Sequence, residues 1–109
     1  MQIIEGLQAS KTADNQQHDR PQLKVLGRHE GATVVRLSFA AGDVMPDHKA
    51  AWPILVIGQT GRVEFSAEGE TQIVEPGCAV HLGAGIVHEL VARENATVTL
   101  VILSESHQA

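Results

Sequence analysis

Residues 77–92 have the sequence GCAVHLGAGIVHELVA, and this segment indicates the fold class. Two apolar runs, 79–82 and 88–92, are separated by glycines at positions 83 and 85. Runs of four or five residues bounded by glycine are typical of β-strands and too short for most helices. The stretch therefore predicts two strands joined by a turn.

The same pattern continues on both sides, where short apolar runs alternate with Gly, Pro, Asn and Asp. It predicts strands at 23–28, 33–39, 54–57, 63–67, 71–74, 79–82, 88–92 and 97–103. Beyond the first 21 residues no apolar period of 3.6 is sustained, so the chain is predicted to be all-β. Eight short strands must close into a barrel or pack as two sheets, because open edges promote aggregation. An immunoglobulin-like sandwich is the competing architecture.

Length and charge limit the classes of function. The chain has 109 residues, a formal net charge of −5 and a single cysteine. This length fits one domain, predicted as a polar N-terminal arm at 1–21 followed by a barrel domain at 22–109. The acidic balance argues against nucleic-acid binding. No apolar run is long enough for a membrane span, and no secretion signal is recognisable, so a cytoplasmic location is expected.

Two segments, 54–57 and 98–103, are apolar at nearly every position. A strand with one face in water alternates apolar and polar residues, so the outer faces of these two strands must be covered. A second copy of the chain in a homodimer is the expected cover. The alternative is that the N-terminal arm folds back over the same surface.

Residues 42–61, GDVMPDHKAAWPILVIGQTG, and residues 77–92 together resemble the two motifs of the cupin superfamily. The first family motif is a glycine, five residues, His-x-His, three or four residues, Glu, six residues and Gly. The second is a glycine, five residues, Pro-x-Gly, two residues, His, three residues and Asn. The matching positions in this chain are Gly42, His48, Gly61, Gly77, Gly85 and His88. The resemblance covers residues 23–103 and implies a cupin-type jelly-roll, or double-stranded β-helix, barrel.

The chain departs from both motifs where cupins hold their metal. Ala50 replaces the second histidine and Ile54 the glutamate, while Gly83 and Ala92 replace the motif proline and asparagine. By resemblance, the metal ligands that remain are His48 and His88, with His81 as a much weaker candidate. Catalytic metal sites usually have three protein ligands. We therefore expect either no cofactor or a weakly held divalent metal (Fe, Mn, Ni or Zn).

The predicted function is the binding of a small polar or anionic molecule in the barrel. His48 and His88 would anchor it through hydrogen bonds, and Trp52, Met45 and Ile54 would supply apolar walls. One alternative is a metal-dependent cupin enzyme of dioxygenase or isomerase type with an incomplete two-histidine site. Another is a structural or interaction dimer whose barrel is filled by its own side chains. No catalytic residue and no ligand identity follow from the sequence.

The remaining candidates are predicted to be structural. Arg36 shares a face with Val34 and Ser38, opposite Leu37 and Phe39, so a solvated surface arginine is expected. Cys78 has no basic neighbour and is expected in the core. Three further histidines are expected on the surface, one in the arm, one in a turn and one in the tail: His18, His29 and His107.

Overall fold

The computed structural model describes residues 1–11 and 19–104. In this part of the chain all the regular secondary structure is β-strand. The nine strands are β1 (Gln22–His29), β2 (Ala32–Phe39), β3 (Val44–His48), β4 (Ile54–Thr60), β5 (Val63–Ala67), β6 (Glu70–Val74), β7 (Ala79–Leu82), β8 (His88–Ala92) and β9 (Ala96–Ile102). The all-β prediction is therefore confirmed. Within the described residues there is no helix with the length and hydrophobicity that crossing a bilayer requires.

The strands form two antiparallel sheets with the core between them. One sheet has the order β1-β2-β9-β4-β7 and the other β3-β8-β5-β6. Alternate residues of each strand point inward, and the buried apolar side chains come from both sheets. Examples are Leu37 and Val56 from the five-stranded sheet and Phe65 and Leu90 from the four-stranded one.

The tight turns follow local sequence chemistry. Glu68 and Gly69, which join β5 to β6, both have positive φ, of 54° and 76°. A two-residue hairpin of this type needs two left-handed residues, which explains the glycine in the second position.

The strand β3 was not predicted from the sequence. Its residues, VMPDH, include a proline and an aspartate, which are depleted in strands. Pro46 is tolerated because β3 lies at the edge of its sheet, where it pairs only with β8, and because the ladder is irregular between Met45 and His48. The correction matters for function, since β3 carries one of the two candidate histidines.

The N-terminal arm covers part of the outer face of the five-stranded sheet. The Arg36 guanidinium donates to the Gly6 carbonyl oxygen at 2.9 Å, and the Ser38 hydroxyl donates to that of Ala9 at 2.8 Å. Thr97 on β9 also reaches Ala9, at 3.4 Å. The prediction that Arg36 is a solvated surface residue is therefore wrong: Arg36 is only 7% exposed. Alternation assigned it correctly to the outer face, but the arm removes that face from water.

Two further predictions are corrected. Cys78 is exposed and does not lie in the core, because it precedes β7 directly after the turn at Gly77. His29 ends strand β1, not a turn, and it is half-buried against Gly27. His18 and His107 lie outside the described residues, as do the remainder of the arm at 12–18 and the tail at 105–109.

Candidate functional site

The two candidate histidines meet between the sheets. His48 is the last residue of β3 and His88 the first of β8, and they are directly paired across the antiparallel ladder. Their ring centroids are 4.1 Å apart, with an angle of 60° between the ring planes. The pairing of two neighbouring strands thus brings together two residues that are forty positions apart in the sequence.

Each ring is held by a hydrogen bond to the backbone just before it. His48 Nδ1 lies 3.0 Å from the Pro46 carbonyl oxygen, and His88 Nδ1 lies 2.9 Å from that of Ile86. A carbonyl oxygen only accepts, so both Nδ1 atoms must carry the proton. In the neutral rings Nε2 is then an acceptor, and within the described residues neither Nε2 has a hydrogen-bond partner. The site therefore presents two fixed acceptors close together.

Burial keeps His88 neutral. The side chain is only 3% exposed, and the ring of Phe65 stacks on it at a centroid distance of 5.6 Å. Burial lowers the pKa of His88 below its usual value, and the nearby His48 lowers it further, against the opposing effect of the hydrogen bond to Ile86. At neutral pH the Nε2 lone pair of His88 is therefore available.

The histidines lie at the wall of a cavity of about 180 Å³. Apart from these two rings its lining is apolar and comes from both sheets and the loop after β3: Leu37, Met45, Ala50, Ile54, Val56, Leu90, Leu100 and Ile102. Apolar walls exclude water and strengthen any hydrogen bond formed inside. The arrangement suits a small molecule with an apolar body and one polar group.

The structure brings together four of the five predicted ligand-binding residues. Met45 and Ile54 line the same cavity as His48 and His88. Trp52 is 42% exposed and does not line it. His81, the weak metal candidate, is exposed on β7 and also lies outside this cavity.

Sequence reasoning missed most of the apolar lining. Leu37, Val56 and Leu100 are inward-facing positions on β2, β4 and β9, adjacent in the sheet but far apart in the chain. A period of two was readable around Leu37, whereas the segments that contain Val56 and Leu100 are apolar at nearly every position. Which inward positions border an empty space depends on how the two sheets pack, and no local pattern encodes that.

The residues present do not fit the metal site that the fold family implies. The positions that would add a histidine and a glutamate are occupied by Ala50 and Ile54, whose side chains line the cavity but cannot coordinate. No cluster of three or more His, Cys, Asp or Glu suited to a metal occurs in residues 1–11 and 19–104. Two imidazoles are fewer than the three protein ligands of a typical catalytic site.

No protein-family model matches the chain, and no curated protein matches its sequence. Similarity of structure is extensive. A conserved protein of unknown function from Streptococcus pyogenes is 22% identical with a TM-score of 0.73, and the match covers 97% of both chains. An RmlC-like cupin with a double-stranded β-helix fold from Methanocaldococcus jannaschii is 14% identical with a TM-score of 0.69, over 94% of this chain and 93% of that one.

An enzyme is also among the similar structures. The DMSP lyase DddQ from Ruegeria pomeroyi is 18% identical with a TM-score of 0.73, over 96% of this chain and 57% of that protein. Together these likenesses show that the chain has the cupin fold, the double-stranded β-helix. The resemblance in its two histidine segments is confirmed at the level of the fold, and the immunoglobulin-like alternative is excluded.

Proposed function

We propose that the barrel cavity binds a small molecule with an apolar body and a hydrogen-bond donor, held by Nε2 of His48 and His88. The observation that carries this proposal is the pair of hydrogen bonds from the Nδ1 atoms to the Pro46 and Ile86 carbonyl oxygens. They fix both rings so that each contributes an acceptor to an otherwise apolar cavity. A hydroxyl or an amine N–H is the complementary group.

The size of the cavity limits the ligand. At about 180 Å³ it is smaller than the roughly 300 Å³ at which pockets for drug-sized ligands begin. A benzene-sized molecule fits a cavity of about 150 Å³ in a well-studied protein core. The expected ligand moiety is therefore on the order of six to eight heavy atoms. A cavity of this size also counts against the alternative in which the barrel is filled by its own side chains.

Phenol and toluene provide a direct test. They have nearly the same shape, and only phenol carries an O–H donor. We expect the ratio of phenol affinity to toluene affinity to fall about tenfold in His48→Ala and in His88→Phe, because a hydrogen bond to a fixed acceptor in an apolar site contributes about 1 to 1.5 kcal/mol. Isothermal titration calorimetry at pH 8 measures both affinities.

His81→Phe is the matched control, because it removes an exposed histidine that does not line the cavity. It should leave the ratio unchanged. Equal ratios in the wild type and in both cavity variants, or no binding of either probe, would overturn the proposal.

A metal-dependent cupin enzyme is the second candidate, and the same two hydrogen bonds favour it. A histidine that binds a metal through Nε2 commonly donates its Nδ1 proton to a carbonyl or carboxylate. The shortage of ligands argues for weak binding, so we propose a loosely held divalent ion if any, and derive no reaction from it. Elemental analysis of the purified protein for Fe, Mn, Ni and Zn decides: one ion per chain, lost in His48→Ala, would favour this candidate over the first.

The homodimer also stays a proposal. Leu55 and Ile57 point away from the cavity side of β4 and are half-buried, and the arm contacts described above lie on β2 and β9. A second copy packed on β4 would cover this apolar surface. Light scattering should then give about twice the chain mass of 11.7 kDa.

The single cysteine favours a reducing compartment, and we propose that the protein is located in the cytoplasm.

A further inference from the structure

A second cavity adjoins the first. It measures about 240 Å³, lies between the start of β1 and β3, and is lined by Arg20, Pro21, Leu23, Leu37, Val44 and Met45. Leu37 and Met45 line both this groove and the barrel cavity. The two spaces are therefore separated by shared side chains, one of them a flexible methionine.

The groove has apolar walls because Leu23 and Leu37 of the five-stranded sheet and Val44 and Met45 of the four-stranded sheet line it. Leu23 pairs with the inward-facing Leu37 on β2, and yet Leu23 is 55% exposed. Sheet order explains this exposure: β1 is an edge strand of a five-stranded sheet that faces a sheet of only four strands. An inward-facing leucine is thus left without cover beside Val44 and Met45 of β3.

The rim of the groove carries a cation. Among the described residues no carboxylate pairs with the Arg20 guanidinium. The Arg20 backbone is held, since Lys11 Nζ donates to its carbonyl oxygen at 2.9 Å while binding Asp43 Oδ2 at 2.8 Å. Lys11 pairs with Asp43, whereas Arg20 has no carboxylate partner among residues 1–11 and 19–104.

We propose that this groove binds the carboxylate end of an apolar ligand, with Arg20 as the partner of the charge. This inference extends the proposed function. It rests on that function only in assuming that the other end of the ligand carries the hydrogen-bond donor bound by the histidines. The histidine pair presents Nε2 lone pairs, which repel a carboxylate, so an anionic ligand needs its cation elsewhere. Of the cationic side chains in the described residues, Arg20 is the one that lines the groove, and none lines the barrel cavity apart from the histidine pair. Guanidinium and carboxylate pair through parallel N–H···O bonds.

Hexanoate and 1-hexanol test the assignment, because they share an alkyl chain and differ in charge. We expect the wild type to bind hexanoate about fivefold more tightly than hexanol at pH 8 and low ionic strength, as measured by calorimetry. Arg20→Met keeps an apolar stem and should abolish that preference. Arg62→Met is the matched control: it removes an exposed arginine that pairs with Glu75 and does not line the groove.

A second variant acts from the opposite wall. Leu23→Glu places a carboxylate near Arg20 at a position that is already exposed, so the core is not disturbed. It should also abolish the preference for hexanoate. Equal affinities for the two probes in the wild type, no binding of hexanoate, or a preference that survives Arg20→Met would each overturn the inference.

The ratio of phenol affinity to toluene affinity distinguishes a failure of this inference from a failure of the proposed function. Arg20→Met should leave that ratio unchanged, because Arg20 does not line the barrel cavity. Loss of the hexanoate preference with an unchanged phenol ratio supports the groove assignment. If the hexanoate affinity does not depend on Arg20 while the ratio of phenol to toluene affinity still depends on His88, the groove assignment is overturned. The proposal for the barrel cavity would then still stand.

Discussion

Phe65 and His88 stack almost in parallel, with 10° between their ring planes and 5.6 Å between their centroids. Phe65 is itself buried, so the stack shields one face of the imidazole from water while His48 lies 4.1 Å from the same ring. The His88 ring is therefore placed where protonation is disfavoured. Its neutral state is a product of packing, which outweighs the opposing effect of the hydrogen bond to Ile86.

This environment predicts a specific pH dependence of stability. The pKa of His88 is lowered in the folded chain, so between that value and about 6.5 the unfolded state binds more protons than the native state. The contribution of His88 is complete above pH 6.5 and is lost as the pH falls through this window, with a slope of up to about 1.4 kcal/mol per pH unit. Urea unfolding between pH 7.5 and 5 measures it.

The free energy of unfolding of His88→Leu should lack this pH-dependent component. The difference between the unfolding free energies of the variant and the wild type should therefore shrink as the pH falls. His81→Gln, which alters an exposed histidine, should follow the wild-type curve. A pH dependence shared equally by His88→Leu and the wild type would contradict the assignment.

A third imidazole should convert the cavity into a metal site. Ala50 lines the cavity beside His48 and His88, and its neighbour Ala51 is exposed. We expect Ala50→His to raise the affinity for Zn²⁺ at least tenfold over the wild type, because three nitrogen ligands meet the usual requirement of a catalytic zinc site. Calorimetric titration measures the affinity, and Ala51→His should leave it unchanged. Similar zinc affinities in both variants would show that position 50 does not reach the histidine pair.

The guanidinium of Arg36 should contribute little to stability. It makes one hydrogen bond, to Gly6, and its buried Nε has no partner within the described chain. Replacing a buried charge that is incompletely satisfied with an apolar side chain of similar volume is often neutral or stabilising. We expect Arg36→Met to change the free energy of unfolding by less than about 1 kcal/mol, or to raise it. Denaturant titration at pH 7.5 provides the value, and a loss above about 3 kcal/mol would contradict this account.

Asp43 should be far less tolerant. It is 3% exposed, and its Oδ2 accepts from Lys11 Nζ at 2.8 Å and from the Ala40 backbone N–H at 2.8 Å. Asp43 thereby ties the N-terminal arm to the turn that leads into β3. Asp43→Ala removes the carboxylate partner of the Lys11 ammonium and the acceptor of the Ala40 backbone N–H, at an expected cost of about 3 kcal/mol.

The milder Asp43→Asn variant keeps an acceptor for Ala40 and loses only the charge. It should therefore be less destabilised than Asp43→Ala. Hydrogen exchange should report faster exchange in the arm for both variants. Wild-type stability in Asp43→Ala would refute the role of Asp43 as the anchor of the arm.

Strand positions were predictable where the local pattern is strong. The bounds of β5, β7 and β8 agree with the sequence-based ranges 63–67, 79–82 and 88–92, because apolar runs between glycine-rich turns are governed by local chemistry. The strand β3 was missed for the opposite reason. Pro46 and Asp47 oppose strand formation locally, and only the edge position beside β8 makes them acceptable.

The candidate site was predictable in part. The spacing of His48 and His88 matched a family pattern, and the structure places their rings side by side. The exposure of Trp52 was not predictable, because a lone tryptophan in a loop can pack inward or outward depending on its neighbours. Cys78 shows the same limit, since no residue beside it in the chain indicates its exposure.

The period-two alternation, the turns and the lack of metal-ligating side chains at positions 50 and 54 can all be read from the amino-acid sequence. These are local properties of side-chain size, polarity and backbone freedom. The burial of Arg36 beneath the arm, the contacts of both Nδ1 atoms with backbone carbonyls and the groove beside the cavity depend instead on how distant segments pack. Alternation fixes the side of a sheet on which a residue lies, but the packing of distant segments determines what covers that side.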